Sequence, residues 1–373
     1  MIAPGIDWPG LLQRNGAEIA TPALVIDLDA FERNIARMAA HCREQGIALR
    51  AHAKTHKCAE VARRQIAAGA IGQSCAILDE AEHLAAAGIK NILITSPLVS
   101  ENSIRRLLAL NAQSPGLMAV VDNREVVSRL SQAAFAAGQT LTLLVDIDVG
   151  HRRTGIAPGE PVVTLAVQVA QSPGLKFAGI QGYAGHIQHI ADRTERQARA
   201  IEVMDKLRQT RELLKTRGLA PGIISGGGTG SFDMDPAGQV LTELQAGSYI
   251  FMDRQYNEIW PDGPPFETSL FVLSRVVSAN QPDIVTTDAG QKSFATDADA
   301  PLIAYGPKGA SYSTFGDEYG RVRLAEGEKM RIGEAVVCVT PHCDPTVNLY
   351  GHYVVIRGNE VVDRWVTASG KYR

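Results

Sequence analysis

Residues 46–57 read GIALRAHAKTHK, an apolar run that leads into two lysines and two histidines. The part ALRAHA has the length and composition of a buried strand, so Lys54 would stand at the carboxyl end of that strand. A lysine in such a place costs free energy unless it is paired or chemically used. We therefore expect Lys54 to take part in chemistry, and we interpret Lys57 as a solvated or phosphate-side charge.

The region around this segment has the pattern of a barrel. From about residue 20 to residue 250, short apolar runs alternate with amphipathic ones, which is typical of parallel strands joined by helices. About 230 residues is the usual size of a (β/α)8 barrel. Nine segments compete for eight places: ALVIDL, ALRAHA, SCAIL, NILITS, MAVVD, TLLVDID, FAGIQGYAG, GIISGGG and ELQAGSYIF. We place ALVIDL outside the barrel, which then begins with ALRAHA.

The chain after residue 252 has a different residue pattern. Segments such as LFVLSRVVSA and LYGHYVVIRG are β-rich, with Gly, Pro and Asp between them and little helical periodicity. The sequence thus predicts an α/β plus β fold: a (β/α)8 TIM barrel over 28–252 and a mostly antiparallel β domain over 253–373. The N-terminal segment 1–27 is expected to join the second domain.

Composition excludes several classes of function. The 373 residues are 45% hydrophobic and 21% charged, with a net charge of −3, so nucleic acid is not an expected partner. No apolar run approaches the ~20 residues that cross a bilayer, and the N-terminus has no leader pattern. The five cysteines are scattered and odd in number, which is not a disulfide framework. We expect a cytoplasmic protein.

Two glycine-containing segments predict a phosphate site. Counted from ALRAHA, the seventh strand ends in SGGGTGS (225–231) and the eighth in QAGSY (245–249), where (β/α)8 barrels often bind phosphate. Glycines let backbone N–H groups converge on an anion, and Thr229 and Ser248 can add hydroxyl donors. The alternative reading is a flexible turn.

A lysine beside a phosphate cradle suggests a phosphate contact or a Schiff base with a phosphate-bearing aldehyde. Pyridoxal 5'-phosphate (PLP) satisfies both requirements. The segment DIDVGHRRTG (146–155) offers Arg152 and Arg153, one of which could bind the phenolate oxygen of this cofactor.

Histidines and a carboxylate suggest further chemistry. The segment GYAGHIQHI (182–190) offers Tyr183, His186 and His189 at a strand end. In TPHCDPTVNLY (340–350), an extended backbone would point His342 and Asp344 to the same side. An imidazole and a carboxylate suit a divalent cation such as Mn²⁺ or Mg²⁺, with room left for water and substrate.

These segments together resemble the fold-type III PLP enzymes, the alanine racemase-like group. Within that group the chain is most similar to D-threonine aldolases and D-3-hydroxyaspartate aldolases. The resemblance runs from about residue 21 to residue 350. It rests on TPALVIDLDAFERNI, HAKTHK, DVGHRRTG, GYAGHIQH, SGGGTGS, TELQAGSYIFMD, DAGQKS and, as the most discriminating segment, PHCDPTVNLY.

The resemblance implies a role for each matching residue. Lys54 would form the Schiff base with PLP, Arg153 would bind the phenolate oxygen, and Tyr183 would pack near the cofactor ring. The phosphate would be held by Gly228, Thr229, Gly247 and Ser248.

The remaining implied roles concern the pyridine nitrogen, the cation and the base. Gln245 falls where racemases of this shape place an arginine against the pyridine nitrogen, and a neutral residue is expected to interact more weakly. His342 and Asp344 would bind the cation, with Mn²⁺ favoured over Mg²⁺, and His189 would be the general base.

The implied reaction is retro-aldol cleavage of a D-3-hydroxy-amino acid, with D-threonine giving glycine and acetaldehyde. The family also implies a homodimer. Two departures from its pattern leave the preferred substrate open: Tyr319 replaces an expected histidine, and Ala76 stands where a glutamine is expected.

Other activities remain open from the sequence. One is D-3-hydroxyaspartate cleavage, and another is a D-serine or D-3-hydroxyaspartate dehydratase of the same fold, in which the cation pair is usually His-x-Cys. Asp344 favours the aldolase over the dehydratase, although Cys343 is adjacent. A racemase or a PLP carrier without turnover would leave the His342–Asp344 pair unexplained.

Overall fold

The computed structural model describes residues 5–12 and 19–369, which form two compact units. The barrel unit consists of Met38–Lys54 and Ala59–Gly247. The sheet unit consists of Thr55–Cys58 and the described parts of Met1–Arg37 and Ser248–Arg373. The domain limits expected from the sequence stay a prediction, and positions 1–4 and 13–18 of the expected N-terminal segment lie outside the described residues.

The chain begins with α1 (Trp8–Leu11), β1 (Ala23–Asp27) and α2 (Leu28–Gln45). The closed barrel that follows has eight strands in chain order, each parallel to its neighbours. They are β2 (Ala48–His52), β3 (Gly72–Cys75), β4 (Ile92–Ile94), β5 (Met118–Val121), β6 (Leu141–Asp146), β7 (Leu175–Gly182), β8 (Ile223–Gly226) and β9 (Glu243–Leu244). The predicted barrel, with ALRAHA as its first strand, is confirmed.

Helices connect seven of these eight strands. They are α3 (Ala59–Ala67), α4 (Leu78–Ala86), α5 (Glu101–Asn111), α6 (Arg124–Ala136), α7 (Glu160–Gln171) and α8 (Arg193–Thr216). The segment SCAIL is shifted relative to its prediction, because β3 ends at Cys75 and Leu78 already begins α4. Between β8 and β9 the chain makes only a short 3-10 turn, Asp235–Gly238.

Strands β4, β5 and most of β6 are apolar, as expected where both faces of a strand are covered, whereas β3 (GQSC) and β9 (EL) carry buried polar residues. Inside the barrel unit, Leu93, Met118, Val120 and Leu144 form one buried cluster. The barrel closes where β2 pairs with β9. At this seam the buried side chains of Arg50 and Glu243 form a two-pronged ion pair, with Nε–Oε1 at 2.8 Å and Nη2–Oε2 at 2.9 Å.

The sheet unit contains a mixed but mostly antiparallel sheet. After α9 (Arg254–Glu258) come β10 (Leu270–Ser278), β11 (Ile284–Thr287), β12 (Leu302–Tyr305), β13 (Ser311–Thr314), β14 (Gly320–Arg323), β15 (Ala335–Val339), α10 (Cys343–Val347), β16 (His352–Arg357) and β17 (Glu360–Val366). The main strand order is β13-β14-β11-β10-β1-β16-β17, and β15 pairs with β10 and β12.

The ALVIDL segment lies in this sheet, as predicted. As β1 it pairs antiparallel with β10 and parallel with β16, and among the described strands this parallel pair is what makes the sheet mixed. The underlying core contains Trp8, Val25, Phe271, Val337 and Val354. Within the described ranges, every helix is too short or too polar to cross a bilayer.

Candidate active site

Lys54 lies in a single 3-10 turn, Ala53–Thr55, directly after β2. Its backbone N–H donates to His52 Nδ1 at 3.3 Å, and the other ring nitrogen of His52 lies 3.2 Å from Thr95 Oγ1. Thr95 follows β4, so the imidazole links the ends of two barrel strands and fixes the turn that carries Lys54. The structure thus places Lys54 at the carboxyl end of the first barrel strand.

Lys57 differs from its expected solvated or phosphate-side charge. It is 7% exposed, and its Nζ donates to Asn348 Oδ1 at 3.0 Å within the sheet unit. A buried ammonium with a specific amide acceptor is a structural anchor rather than a free surface charge.

The glycine-rich segment after β8 packs closely on the turn that contains Gln188. A Cβ added at Gly228 or Gly230 would overlap atoms of Gln188, so this approach requires glycine. The backbone N–H of Gly230 donates to Gln188 Oε1 at 2.8 Å, and that of Gly228 donates to Asp235 Oδ2 at 3.2 Å. Thr229, which is 2% exposed, brings a hydroxyl to the same loop.

The Asp235 carboxyl group was not anticipated from the sequence. Burial raises its pKa to about 7, although hydrogen bonds from the Ser231 hydroxyl (2.6 Å) and the Gly228 amide partly offset that effect. Because this carboxyl is partly protonated near neutral pH, it places less than a full negative charge beside the expected phosphate position.

Arg153, Tyr183 and two histidines form a cluster at the ends of β6 and β7. The Arg153 guanidinium carbon lies 5.4 Å from the centroid of the Tyr183 ring. The His151 ring is stacked on Tyr183, with centroids 6.4 Å apart, and meets His186 edge-on at 5.8 Å. Arg152 and Arg153 are both exposed, and Arg152 has a left-handed backbone conformation with φ 57°.

His151 is a residue that sequence reasoning missed. Its Nδ1 is buried without a hydrogen-bond partner among the described residues. Burial lowers the pKa values of His151 and His186, and the nearby charges of Arg153 and Lys206 respectively add to this effect. Both imidazoles are therefore neutral near pH 7. The sequence signal that could have identified His151 as a site residue was the glycine that precedes it in the segment DIDVGHRRTG.

His189 lies three residues beyond His186, in an exposed turn after the 3-10 helix Gly185–Ile187. The structure thus separates the two histidines of the segment. His186 belongs to the ring cluster and is exposed; His189 is also exposed, and at its position in the turn an imidazole can exchange protons with water.

Gln245 follows β9 and belongs to a buried polar chain inside the barrel. Its Nε2 donates to Gln181 Oε1 at 2.9 Å and to Ser225 Oγ at 2.8 Å. Gln181 Nε2 in turn donates to Asp146 Oδ1 at 2.9 Å. Burial raises the pKa of Asp146 to about 6, while hydrogen bonds from Gln181 and Thr154 lower it, so the carboxyl is mainly ionised at neutral pH.

The segment QAGSY continues from Gln245. Gly247 is the last residue of the barrel unit, and Ser248 begins a buried 3-10 turn, Ser248–Ile250, in the sheet unit. The Ser248 side chain, which carries the hydroxyl group, is only 4% exposed. The backbone carbonyl of Ser248 accepts a hydrogen bond from the amide of Met252 at 2.8 Å.

The extended backbone on which the two side chains of the candidate cation pair would share one side is present at His342 (φ −143°, ψ 121°) but not at Asp344. His342 is the N-cap of α10, and Asp344 lies in the first turn of this five-residue helix. The His342 Nδ1 lies 2.8 Å from Asp297 Oδ2. This carboxylate favours the tautomer with a proton on Nδ1, which leaves the lone pair of Nε2 for a metal.

Cys343 differs from its neighbours in burial. It is 0% exposed, its Sγ donates to Asp344 Oδ1 at 3.4 Å, and its amide donates to the buried Asp253 at 2.8 Å. Burial raises the pKa of the Cys343 thiol well above its ordinary value, and nearby Asp253 adds to this. Among the described residues, no group of three or more His, Cys, Asp and Glu side chains is arranged to hold a metal, so a cation here would complete its shell with water or substrate.

The two departures from the resembled pattern lie in different units. Tyr319 is 54% exposed in the turn between β13 and β14. Ala76 follows β3, where its amide donates to Glu80 Oε2 at 2.7 Å.

Comparisons with known proteins agree with this architecture. Residues 26–255 match the family described as alanine racemase, N-terminal domain, and residues 269–356 match the putative serine dehydratase domain. The chain is 42% identical to D-threonine aldolase from Arthrobacter sp over 95% of this chain and 94% of that protein. It is 36% identical to 3-hydroxy-D-aspartate aldolase from Paracoccus denitrificans (strain Pd 1222), over 98% and 96% of the two chains. The crystal structure of D-threonine aldolase from Filomicrobium marinum superimposes with a TM-score of 0.90 at 38% identity, covering 94% of this chain and 95% of that one.

Proposed function

Because the chain belongs to the alanine racemase-like family of lyases that includes D-threonine aldolase and 3-hydroxy-D-aspartate aldolase, we propose that it is a PLP- and divalent-metal-dependent D-threonine aldolase. The observation that carries this proposal is the 42% identity to a D-threonine aldolase over 95% of the chain. The cleavage converts D-threonine to glycine and acetaldehyde.

The barrel residues fit a phosphate-bearing pyridine aldehyde. The loop after β8 offers the hydroxyl group of Thr229 for a phosphate, whereas the N–H groups of Gly228 and Gly230 already donate to Asp235 and Gln188. Ser248, the first residue of the sheet unit's final segment, stays the second expected hydroxyl donor. Lys54 provides the amine that binds the aldehyde, and Arg153, held against the ring of Tyr183, provides a cation for the phenolate oxygen. When bound, PLP supplies the electron sink for cleavage of a bond to the substrate's Cα.

The sheet-unit residues fit a divalent cation, for which we favour Mn²⁺ over Mg²⁺. The donor set is the Nε2 of His342 and the carboxylate of Asp344, which suits a borderline or hard cation rather than a thiophilic one. Cys343 is an unsuitable ligand because it is fully buried and engaged with Asp344. A bound cation supplies the Lewis acidity that lowers the pKa of a coordinated hydroxyl group.

The chain's remaining task is proton transfer. We assign the general base to His189, whose exposed imidazole can accept the proton of the substrate's 3-hydroxyl at a ring nitrogen and release it to water. The His151 ring is stacked on Tyr183 and meets His186 edge-on, so His151 holds the aromatic surface beside the expected cofactor. The neutral state of the two imidazoles also avoids a second positive charge next to Arg153.

The second candidate is a 3-hydroxy-D-aspartate aldolase, favoured by the 36% identity to the Paracoccus enzyme over 98% of this chain. A dehydratase is the third candidate, because residues 269–356 match the serine dehydratase domain. The carboxylate at Asp344 instead of a thiolate ligand favours aldol cleavage over loss of water. Tyr319 and Ala76 are the positions at which we expect substrate preference to depart from the relatives.

The deciding experiment is a product assay with D-threonine, run with Mn²⁺ and again after EDTA. We expect metal-dependent acetaldehyde and glycine in equal amounts. 2-Oxobutyrate and ammonia would identify a dehydratase instead. Activity with D-3-hydroxyaspartate, but not with D-threonine, would establish the second candidate.

Two pairs of variants test the assigned residues. Lys54→Ala should lose both activity and covalently held cofactor, whereas Lys90→Ala, at an exposed lysine of the same unit, should keep both. Asp344→Ala should lose activity that added Mn²⁺ restores poorly, whereas Asp299→Ala, at a side chain 77% exposed, should not. Full activity of Lys54→Ala would refute the cofactor assignment, and full activity of Asp344→Ala after chelation would refute the metal assignment.

We also propose a cytoplasmic homodimer. All five cysteines are free and buried, in line with a reducing compartment. Light scattering of the purified protein tests the dimer, and a monomer that retains full activity would contradict it.

A further inference from the structure

A chain of three buried side chains crosses the interior of the barrel: Gln245, Gln181 and Asp146, which are 3%, 2% and 3% exposed. They come from the ends of β9, β7 and β6. Each link is a hydrogen bond of 2.9 Å between side chains. Buried amide and carboxylate groups hold defined orientations, since an unmatched donor or acceptor is costly there.

The carboxylate fixes the direction of every bond in this chain. Asp146 accepts the Thr154 hydroxyl at 2.8 Å on Oδ2 and can only accept at Oδ1, so Gln181 must present its Nε2. The second hydrogen of Gln181 Nε2 is directed to the carbonyl of Thr95 at 3.3 Å. Gln181 Oε1 is thereby left facing Gln245, as an acceptor.

Gln245 must then donate through its own Nε2. One hydrogen of that nitrogen goes to Gln181 and the other to Ser225 Oγ, so both donors of the amide are used. Its Oε1 is the atom that remains for a further group. Gln245 therefore meets any ligand in the barrel as a hydrogen-bond acceptor, not as a donor.

We propose that Gln245 Oε1 accepts a hydrogen bond from the protonated ring nitrogen of the pyridine cofactor, with Gln181 and Asp146 as the positioning residues that hold it in this orientation. The inference rests on the proposed function, since it takes the cofactor to be PLP. An arginine in this position donates and therefore matches an unprotonated nitrogen, so this barrel selects the opposite protonation state. A protonated ring is the stronger electron sink.

From the sequence, a neutral residue was expected to interact weakly with the ring nitrogen; under this proposal the interaction is stronger. The negative charge of Asp146 polarises Gln181, and through it the amide of Gln245, in surroundings from which water is largely excluded. Hydrogen bonds that involve an ionised group are roughly twice as strong as neutral ones. The glutamine thus relays part of the effect of a carboxylate that lies two side chains away.

The test uses holoenzyme reconstituted with PLP labelled with ¹⁵N in the ring, because the ¹⁵N chemical shift of that atom reports its protonation directly. The wild-type nitrogen should appear at the pyridinium position. Gln245→Arg and Gln245→Leu should move it to the position of neutral pyridine, and Asp146→Asn should move it part of the way. Gln245→Glu keeps an acceptor of the same size and should keep the proton.

A matched control comes from a second buried amide pair in the barrel. Gln73 is 0% exposed and donates to Gln65 Oε1 at 3.0 Å, outside the chain described above. Gln73→Met removes a comparable hydrogen bond and should leave the ¹⁵N shift unchanged. Equal effects of Gln73→Met and Gln245→Leu would mean that the shift reports general damage, and would overturn the assignment.

Failure of this inference is distinguishable from failure of the proposed function. Wild-type protein that takes up PLP with an unprotonated nitrogen, or whose nitrogen is unaffected by Gln245→Arg and Gln245→Leu, overturns the inference and leaves the proposed function standing. Wild-type protein that takes up no PLP overturns both.

Discussion

Replacing Glu243 by Gln should destabilise the barrel strongly, because this carboxylate neutralises a buried arginine at the seam where β2 meets β9. Arg50 and Glu243 have side chains that are 5% and 2% exposed, joined by two hydrogen bonds of 2.8 and 2.9 Å. The guanidinium also donates to the carbonyl of Asn91. In Glu243→Gln the guanidinium stays buried but loses its counter-charge.

The expected loss is about 3–5 kcal/mol, the range measured when one partner of a buried ion pair is removed. Urea unfolding followed by circular dichroism and intrinsic fluorescence gives the free energy of unfolding, provided that the two probes agree. Arg33 and Glu267 offer a matched control, since they form the same two-pronged pair at 2.7 and 2.8 Å with side chains 58% and 52% exposed. Glu267→Gln should cost about 0–1 kcal/mol.

Two further outcomes refine or refute this reasoning. Replacing both members of the seam pair with apolar residues, as in Arg50→Met with Glu243→Leu, should recover most of the loss, because no unpaired charge then remains buried. If Glu243→Gln costs no more than Glu267→Gln, burial does not govern the contribution of these ion pairs, and the argument fails.

Three other predictions follow from single contacts. Asp235→Asn should remove a pH dependence of the free energy of unfolding worth up to about 4 kcal/mol. Because the pKa of Asp235 is raised from 3.8 to about 7 in the folded protein, its stabilising contribution is complete below pH 3.8 and is lost as the pH rises through 7. Urea unfolding should therefore show a flatter pH profile in the variant. Asp297→Asn should weaken Mn²⁺ binding roughly 10–100-fold in calorimetric titration, because the tautomer of His342 is no longer fixed, whereas Asp299→Asn should leave the affinity unchanged; equal affinities would refute this role. Gly230→Ala should cost about 1–3 kcal/mol, because its Cβ overlaps a backbone carbonyl oxygen, and an unchanged thermal midpoint would contradict the packing of this loop.

The barrel could be predicted because its strands are short apolar runs with helices between them. The assignment of ALVIDL to the other sheet also followed from the number of strands. In the sheet unit, β12, β13 and β14 have a weaker sequence signal than the barrel strands. Each has four residues, and their residues alternate between buried and exposed or are only partly covered, so the apolar signal falls below that of the barrel strands.

The sequence contained a signal against an extended backbone at Asp344. Asp344 and Pro345 stand in the first turn of α10, where an acidic residue favours the helix dipole and proline is tolerated. His342 and Asp344 lie at the start of one helix, so a local sequence pattern could pair them. Asp297 lies 45 positions from His342, so no local pattern could identify it as a partner of this histidine.

The hydrogen bonds of Gln245 show a different limit of sequence reasoning. Because glutamine is neutral, we expected it to interact weakly with the ring nitrogen of the cofactor. That expectation considers the Gln245 side chain alone, without its hydrogen-bond partners. The direction of its hydrogen bonds is set by Asp146 through Gln181, residues that lie 99 and 64 positions earlier in the chain and meet only when the barrel closes. A side-chain amide can donate or accept hydrogen bonds, so which of the two it offers to a ligand depends on its neighbours and not on its residue type. The same glutamine beside a cation instead of Asp146 would turn its donors towards the ligand and would select the opposite protonation state of the cofactor.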